Sequence, residues 1–197
     1  MNLIHRKLFY VFIIFHLEIA ESCRCKRKVP ENRHGIAPLT IINHDEEIKR
    51  STVKAVIPRM SIEWSIRLTL QITGINQPKD WCNVIHLTED SDSDRLPSLF
   101  FNEWINQLRI YFPGRDQSWP YETTLSLHTN YTIEIHQRYK SGGKYQFIAT
   151  VNGDEIVNVE SPQAASVQRY DVKIYASNPW FASCIGIIKD FRFTNFL

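Results

Sequence analysis

The chain lacks a hydrophobic run long enough to cross a bilayer, which takes about 20 apolar residues. Its one apolar stretch, Leu8 to Phe15, is short and follows His5-Arg6-Lys7. A basic start, a short apolar centre and the small residues Ala20 and Ser22 have the order of a cleavable signal peptide over residues 1–22. Cleavage falls after Ala20 or Ser22. The alternative is an uncleaved anchor, which the length of the run opposes. No second apolar stretch follows, so a secreted, extracellular product without a membrane span is expected.

Charge of one sign is also missing. The chain holds 23 Lys plus Arg against 21 Asp plus Glu, a formal net charge of +2. Six of those basic residues lie before residue 29, against Glu18 and Glu21, so the remainder is slightly acidic. That balance excludes a nucleic-acid surface as the expected partner. Within the basic segment, Arg24-Cys25-Lys26-Arg27 fits the R-x-K-R pattern of furin-like processing, or is simply a solvated leader. Residues 23–50 are expected to be leader and linker, with one candidate strand at Leu39 to Ile42.

Cysteine is sparse: Cys23, Cys25, Cys82 and Cys184. Four cysteines allow three connectivities. Cys23 and Cys25 lie in the basic tail, whereas Cys82 and Cys184 lie in sheet-like sequence, so a Cys82–Cys184 bridge is favoured. A Cys-x-Cys zinc half-site is the competing reading, and neither His-x-His nor a second Cys-x-Cys completes it.

Assembled catalytic motifs are absent too. There is no Gly-x-Ser-x-Gly elbow, His-Glu-x-x-His pair or phosphate loop. A glycoside hydrolase needs two carboxylates about 5–5.5 Å apart for the retaining reaction, and Glu134 stands alone in its strand. A non-enzymatic role is therefore expected.

What the chain does contain is alternation. Ile62 to Ile72 reads IEWSIRLTLQI, which sends Ile62, Trp64, Ile66, Leu68, Leu70 and Ile72 to one face of a strand. Glu63, Ser65, Arg67, Thr69 and Gln71 go to the other. Further strand signals occur at Val53 to Ile57, Asn83 to Thr88, Leu99 to Phe101, Leu108 to Phe112 and Thr124 to His128. Others follow at Thr132 to Gln137, Lys144 to Val151, Ile156 to Val159, Val172 to Ala176 and Ile185 to Thr194. Asn152-Gly153 suits a two-residue hairpin turn, because both positions tolerate positive φ. Phe101, Trp104, Ile105 and Leu108 also fit helical spacing, so a short helix or a loop is the alternative there. The whole predicts an all-β, two-sheet antiparallel jelly-roll sandwich over residues 51–197.

Three stretches carry a resemblance. Trp81 to Thr88 with Asp94 to Phe101, Tyr131 to Val159 with its VNG hairpin, and Val172 to Asn195 are similar to segments of concanavalin-A-like, laminin-G-like secreted sandwich domains. The resemblance spans roughly residues 50–197. It implies the sandwich fold and a lectin-like recognition role, and fold by itself does not assign a ligand.

Candidate sites follow from residue chemistry. Asp90, Asp92 and Asp94 in EDSDSD have the one-three-five oxygen spacing that opens a calcium loop, so calcium is the one candidate cofactor. No glycine turn or closing Glu follows, and a solvated acidic loop, or pairing of Asp94 with Arg95, is the competing reading. Arg115, Trp119 and Tyr121 in RDQSWPY, and Trp180 beside Phe181 in NPWF, are candidate ligand-binding residues. Aromatic planes beside polar groups suit sugar rings, although packing under the sandwich as a core lid, with Phe181, is the favoured reading of Trp180. Asn130-Tyr131-Thr132 is the chain's one glycosylation sequon. His86, His128 and His136 read as ordinary sheet positions. The expected function is recognition of an extracellular glycan or glycoprotein through rim loops. The alternatives are a protein-interaction or matrix module and, least favoured, a glycoside hydrolase.

Overall fold

The computed structural model describes Asn32 and residues 35–76, 81–113 and 120–196. The signal segment, Cys23, Cys25, Arg115 and Trp119 lie outside the described residues. Fourteen strands form two sheets of seven. Sheet A runs β1 (Leu39–Ile42), β14 (Gly186–Asn195), β4 (Trp64–Ile72), β9 (Tyr131–Ser141), β10 (Lys144–Val151) and β11 (Asp154–Glu160), with β2 (Glu46–Glu47) also on β14. Sheet B runs β3 (Val53–Met60), β12 (Arg169–Tyr175), β5 (Trp81–Thr88), β6 (Ser98–Asn102), β7 (Gln107–Tyr111) and β8 (Tyr121–Thr124). All pairings are antiparallel except that of β13 (Ala182–Ser183), which lies parallel to β5. The protein is an all-β jelly-roll sandwich.

The alternating run forms β4, and its inward row is the centre of the core. Trp64, Ile66, Leu68, Leu70 and Ile72 are all buried, with Ile133 and Ile135 beside them on β9. Leu87, Leu99, Phe101 and Ile174 meet them from sheet B. Burial at roughly 25 cal/mol per Å² makes this interface the main favourable term. The Asn152-Gly153 turn has both residues at positive φ, +51° and +82°, as a type I′ hairpin requires.

Differences from the expected elements have local causes. The segment around Phe101 to Leu108 is the β6–β7 hairpin and not a helix, because Asn102 Oδ1 accepts from the Trp104 and Ile105 amides and closes a turn. Trp104 and Ile105 project from that turn. Strand β8 ends at Thr124, and the expected strand from Thr124 to His128 is a connection. His128 has φ +56°, and its amide donates to the Ile72 carbonyl. Ahead of residue 51, β1 and β2 pair with β14, while Ile42 and Ile48 join the core. The sandwich thus begins upstream of the expected linker boundary.

Cys82 and Cys184 form a disulfide across 102 residues of sequence. It ties β5 of sheet B to the chain between β13 and β14, where the polypeptide passes from sheet B to sheet A. A loop of that length corresponds to about 4.7 kcal/mol of lost unfolded-state entropy in the chain-entropy account.

Candidate recognition surface

Strand pairing gathers a set of side chains on the outer face of sheet B. Tyr175, His86, Ser98 and Tyr111 are register partners across β12, β5, β6 and β7. Asn83, Phe100, Arg109 and Glu122 form the neighbouring row across β5 to β8. Trp81, Asn102 and Gln107 form a third. A register shift between Asn83 and Ile85 lets Asn83 and His86 share this face although they stand three residues apart. That is the effect of a β-bulge, which inserts one extra residue into a strand.

Phe100 is buried yet lies outside the main core cluster. Phe181 meets its ring edge-on at 5.0 Å, and Tyr111 does so at 5.6 Å. Two guanidinium groups lie over these aromatics. Arg109 sits 3.8 Å from the Trp81 ring centroid and pairs with Glu122. Arg95, from the β5–β6 loop, sits 4.2 Å from the Tyr111 centroid and 4.9 Å from that of Phe100. Arg109 spends its N–H fork on Glu122 and Tyr111 Oη, whereas a guanidinium laid on a ring can keep its edge for a further acceptor.

The loop that borders this face is held by one buried amide. The Asn178 backbone amide donates to Asn83 Oδ1 at 2.8 Å, and Asn178 Nδ2 donates to His86 Nδ1 at 3.1 Å. Asn178 Oδ1 accepts from the amides of Trp180 and Phe181, which fixes the orientation of its side chain. Asn83 Nδ2 in turn donates to the Ile85 and Leu99 carbonyls. Arg50 donates to the Pro179 carbonyl from outside. Trp180 remains 38% exposed, against His86 at 5.5 Å and Tyr175 at 6.3 Å. It borders the outer face and is not a lid on the main core.

Since Asn178 can only donate from Nδ2, His86 Nδ1 accepts and its proton sits on Nε2. Burial, followed by the charge of Arg95, pushes the His86 pKa down to about 4, outweighing the Ser91 backbone. The imidazole is therefore neutral near pH 7 and adds no charge to the surface.

The other candidates lie elsewhere. Tyr121 points inward and stacks on Phe112 at 5.9 Å, because the alternation of β8 sends Glu122, and not Tyr121, to the outer face. The acidic loop is built by Thr88, whose Oγ1 accepts from the Asp90 and Ser91 amides and donates to the Ser91 carbonyl. Asp90, at φ +123°, pairs with Lys173 at 2.8 Å, and Glu89 pairs with Arg169 at 2.9 Å. The carboxylates are thus drawn toward β12 cations. Among the described residues no three His, Cys, Asp or Glu side chains gather as a metal site, so Asp90, Asp92 and Asp94 are not brought together as ligands. Asn130 is exposed in the turn before β9.

Trp81, Arg95 and Arg109 were not among the candidates from sequence. Each carries a usable signal, an aromatic or a cation on a strand or strand-flanking loop, but only the register joins them.

No protein-family model matches the chain, and no curated protein matches it in sequence. Solved structures do match in shape. The Trypanosoma rangeli sialidase in complex with 2,3-difluorosialic acid superposes with a TM-score of 0.53 at 12% identity, over 86% of this chain and 26% of the sialidase. The likeness is one of fold. Further similarity extends to the CBM40 of the Ruminococcus gnavus IT-sialidase, at TM-score 0.44 and 11% identity over 68% of this chain and 75% of that one. The binding domain of botulinum neurotoxin DC gives 0.46 and 11%, over 67% and 32%. The chain spans about a quarter of that sialidase's length, and what is shared is an all-β sandwich.

Proposed function

We propose that the chain is a secreted, non-catalytic, concanavalin-A-like recognition domain that binds an extracellular glycan or glycoprotein on the outer face of sheet B. The observation that carries this reading is the placement of Arg109 over Trp81 beside Glu122, with Tyr111 and Arg95 adjoining. Sugar rings present apolar faces and directional hydroxyls, and they are recognised by aromatic planes next to polar groups of fixed orientation. Glu122 is engaged by Arg109, which supports a binding role for this carboxylate. The signal-like start and the Cys82–Cys184 bridge support an oxidising, extracellular setting. Asn130, exposed at its turn, is the site at which the protein would itself be glycosylated.

The test is a glycan array probed with the mature protein and with Trp81→Ala and Arg109→Ala. At least one glycan class binds, and each variant weakens it by about tenfold or more. Binding to no glycan, or binding indifferent to both variants, overturns the reading. Retention in EDTA is expected; loss would bring Asp92 and Asp94 into a calcium site. Fluorogenic glycosides should show no turnover.

A second reading, a protein-interaction module, rests on Trp104 and Ile105, which are 67% and 54% exposed on the β6–β7 turn. Partner capture that depends on this pair and not on Trp81 would favour it.

A further inference from the structure

We infer that the glycan recognised on this face is acidic, and that Arg95 is the residue that reads its carboxylate or sulfate. The inference rests on the proposed glycan-binding role of the outer face of sheet B and names the ligand class.

Four arginines of the sandwich are met by a glutamate: Arg67 by Glu134, Arg109 by Glu122, Arg138 by Glu63 and Arg169 by Glu89. Arg95 differs. Among the described residues no carboxylate lies within ion-pairing distance of it, and its Nε is buried without a hydrogen-bond partner. The plane rests on Tyr111 and Phe100. A guanidinium held flat on aromatics has few side-chain rotamers left to lose when it binds, and its planar fork matches a carboxylate or a sulfate ester with two parallel N–H donors.

Two neighbours sharpen the assignment. Ser98, fully buried between the register partners His86 and Tyr111, has an Oγ without a partner. Its hydroxyl lies beneath the same face, closed to solvent. In the loop that leads to Arg95, Glu89 is neutralised by Arg169 and Asp90 by Lys173, while Asp92 and Asp94 form no ion pair among the described residues and are the negative charge that an anionic ligand must outweigh. His86 is neutral, and Arg109, which also donates to Tyr111 Oη, is committed to Glu122, so Arg95 is a cation beside this row without a carboxylate partner among the described residues. An anionic ligand also gains most where the cation is partly withdrawn from water, since screening is weaker there.

The experiment is an array of neutral glycans, each printed beside its sialylated, glucuronated and sulfated counterpart, followed by titration of the best matched pair. Wild-type protein, Arg95→Gln and Arg95→Lys are compared, with thermal melts establishing that both variants fold. Wild type should prefer an acidic member by about 10- to 100-fold, the worth of a charge-assisted pair of hydrogen bonds. Arg95→Gln should abolish that preference while retaining affinity for the neutral parent, and Arg95→Lys should restore part of it. The carboxylated and sulfated arms distinguish the source of the anion. Equal binding of neutral and acidic members, or an acidic preference that survives Arg95→Gln, overturns the inference and leaves glycan recognition standing. Binding to no printed glycan overturns both.

Discussion

Asn178 shows how one residue holds the border of the outer face of sheet B, the proposed recognition face. It is fully buried, and its backbone and side chain make four hydrogen bonds, to Asn83, His86, Trp180 and Phe181. Asn178→Ala removes the side-chain partner of two amides and of an imidazole. Leaving a buried group unsatisfied costs about 1–3 kcal/mol, and since the imidazole is buried but the two amides are only part-buried, a total loss of about 2–3 kcal/mol is expected in urea unfolding. Binding at Trp180 should weaken with it. A second prediction at this scale concerns His86 and His136. Burial pushes both down to about 4, with Arg95 and Arg138 respectively adding to the effect. Below the ordinary value of 6.5 the unfolded chain takes up these protons and the folded protein does not, so stability falls as pH drops from 6.5 toward 4. Each histidine contributes up to about 3 kcal/mol of that loss. His136→Leu should flatten the pH dependence of the urea midpoint by about half of the joint contribution. An unchanged slope would show that His136 already protonates in the folded state.

At the scale of elements, the pairing of β14 with β4 is limited by space at Gly186. A Cβ at Gly186 would come within 2.5 Å of the Gln71 carbonyl oxygen and 3.3 Å of the Ile72 Cα. Both are backbone atoms of a paired strand and cannot swing aside. Gly186→Ala should therefore destabilise by about 1–3 kcal/mol, read as a lowered melting temperature, whereas Gly74→Ala, facing the flexible Ile185 side chain, should cost less. The elements themselves were legible wherever period and turn chemistry agreed, as in β4 and in the Asn152-Gly153 hairpin. They were less so at Thr124 to His128, where Leu125 and Leu127 mimic alternation although they sit in a connection packed on the core. The site was legible only at its border, through Trp180. Its floor combines Trp81, His86, Phe100, Arg109 and Tyr111 from three strands, and the bulge near Asn83 breaks the simple period that would have put them on one face. Register is a tertiary property, and a linear pattern does not carry it.

For the molecule as a whole, the two outer faces divide the work. Sheet A turns Ser65, Arg67, Thr69 and Gln71 outward and closes its charges on themselves, through Arg67–Glu134, Arg138–Glu63 and Lys144–Glu160. Its charges are spent on one another, although His136, Ile148 and Arg138 lie buried on the same side. Sheet B instead carries aromatics between β5 and β7, overlaid by two guanidiniums and bordered by the loop that Asn178 anchors. The core between the sheets is densely apolar, so each outer face answers to a ligand through its own strands. Hydrogen exchange with and without a bound glycan should therefore show added protection in β5, β6, β7 and residues 177–181. Amides of β4, β9 and β10 should change little. Protection centred on sheet A, or confined to the β6–β7 turn at Trp104 and Ile105, would move the recognition surface away from the face that the aromatic and arginine side chains define.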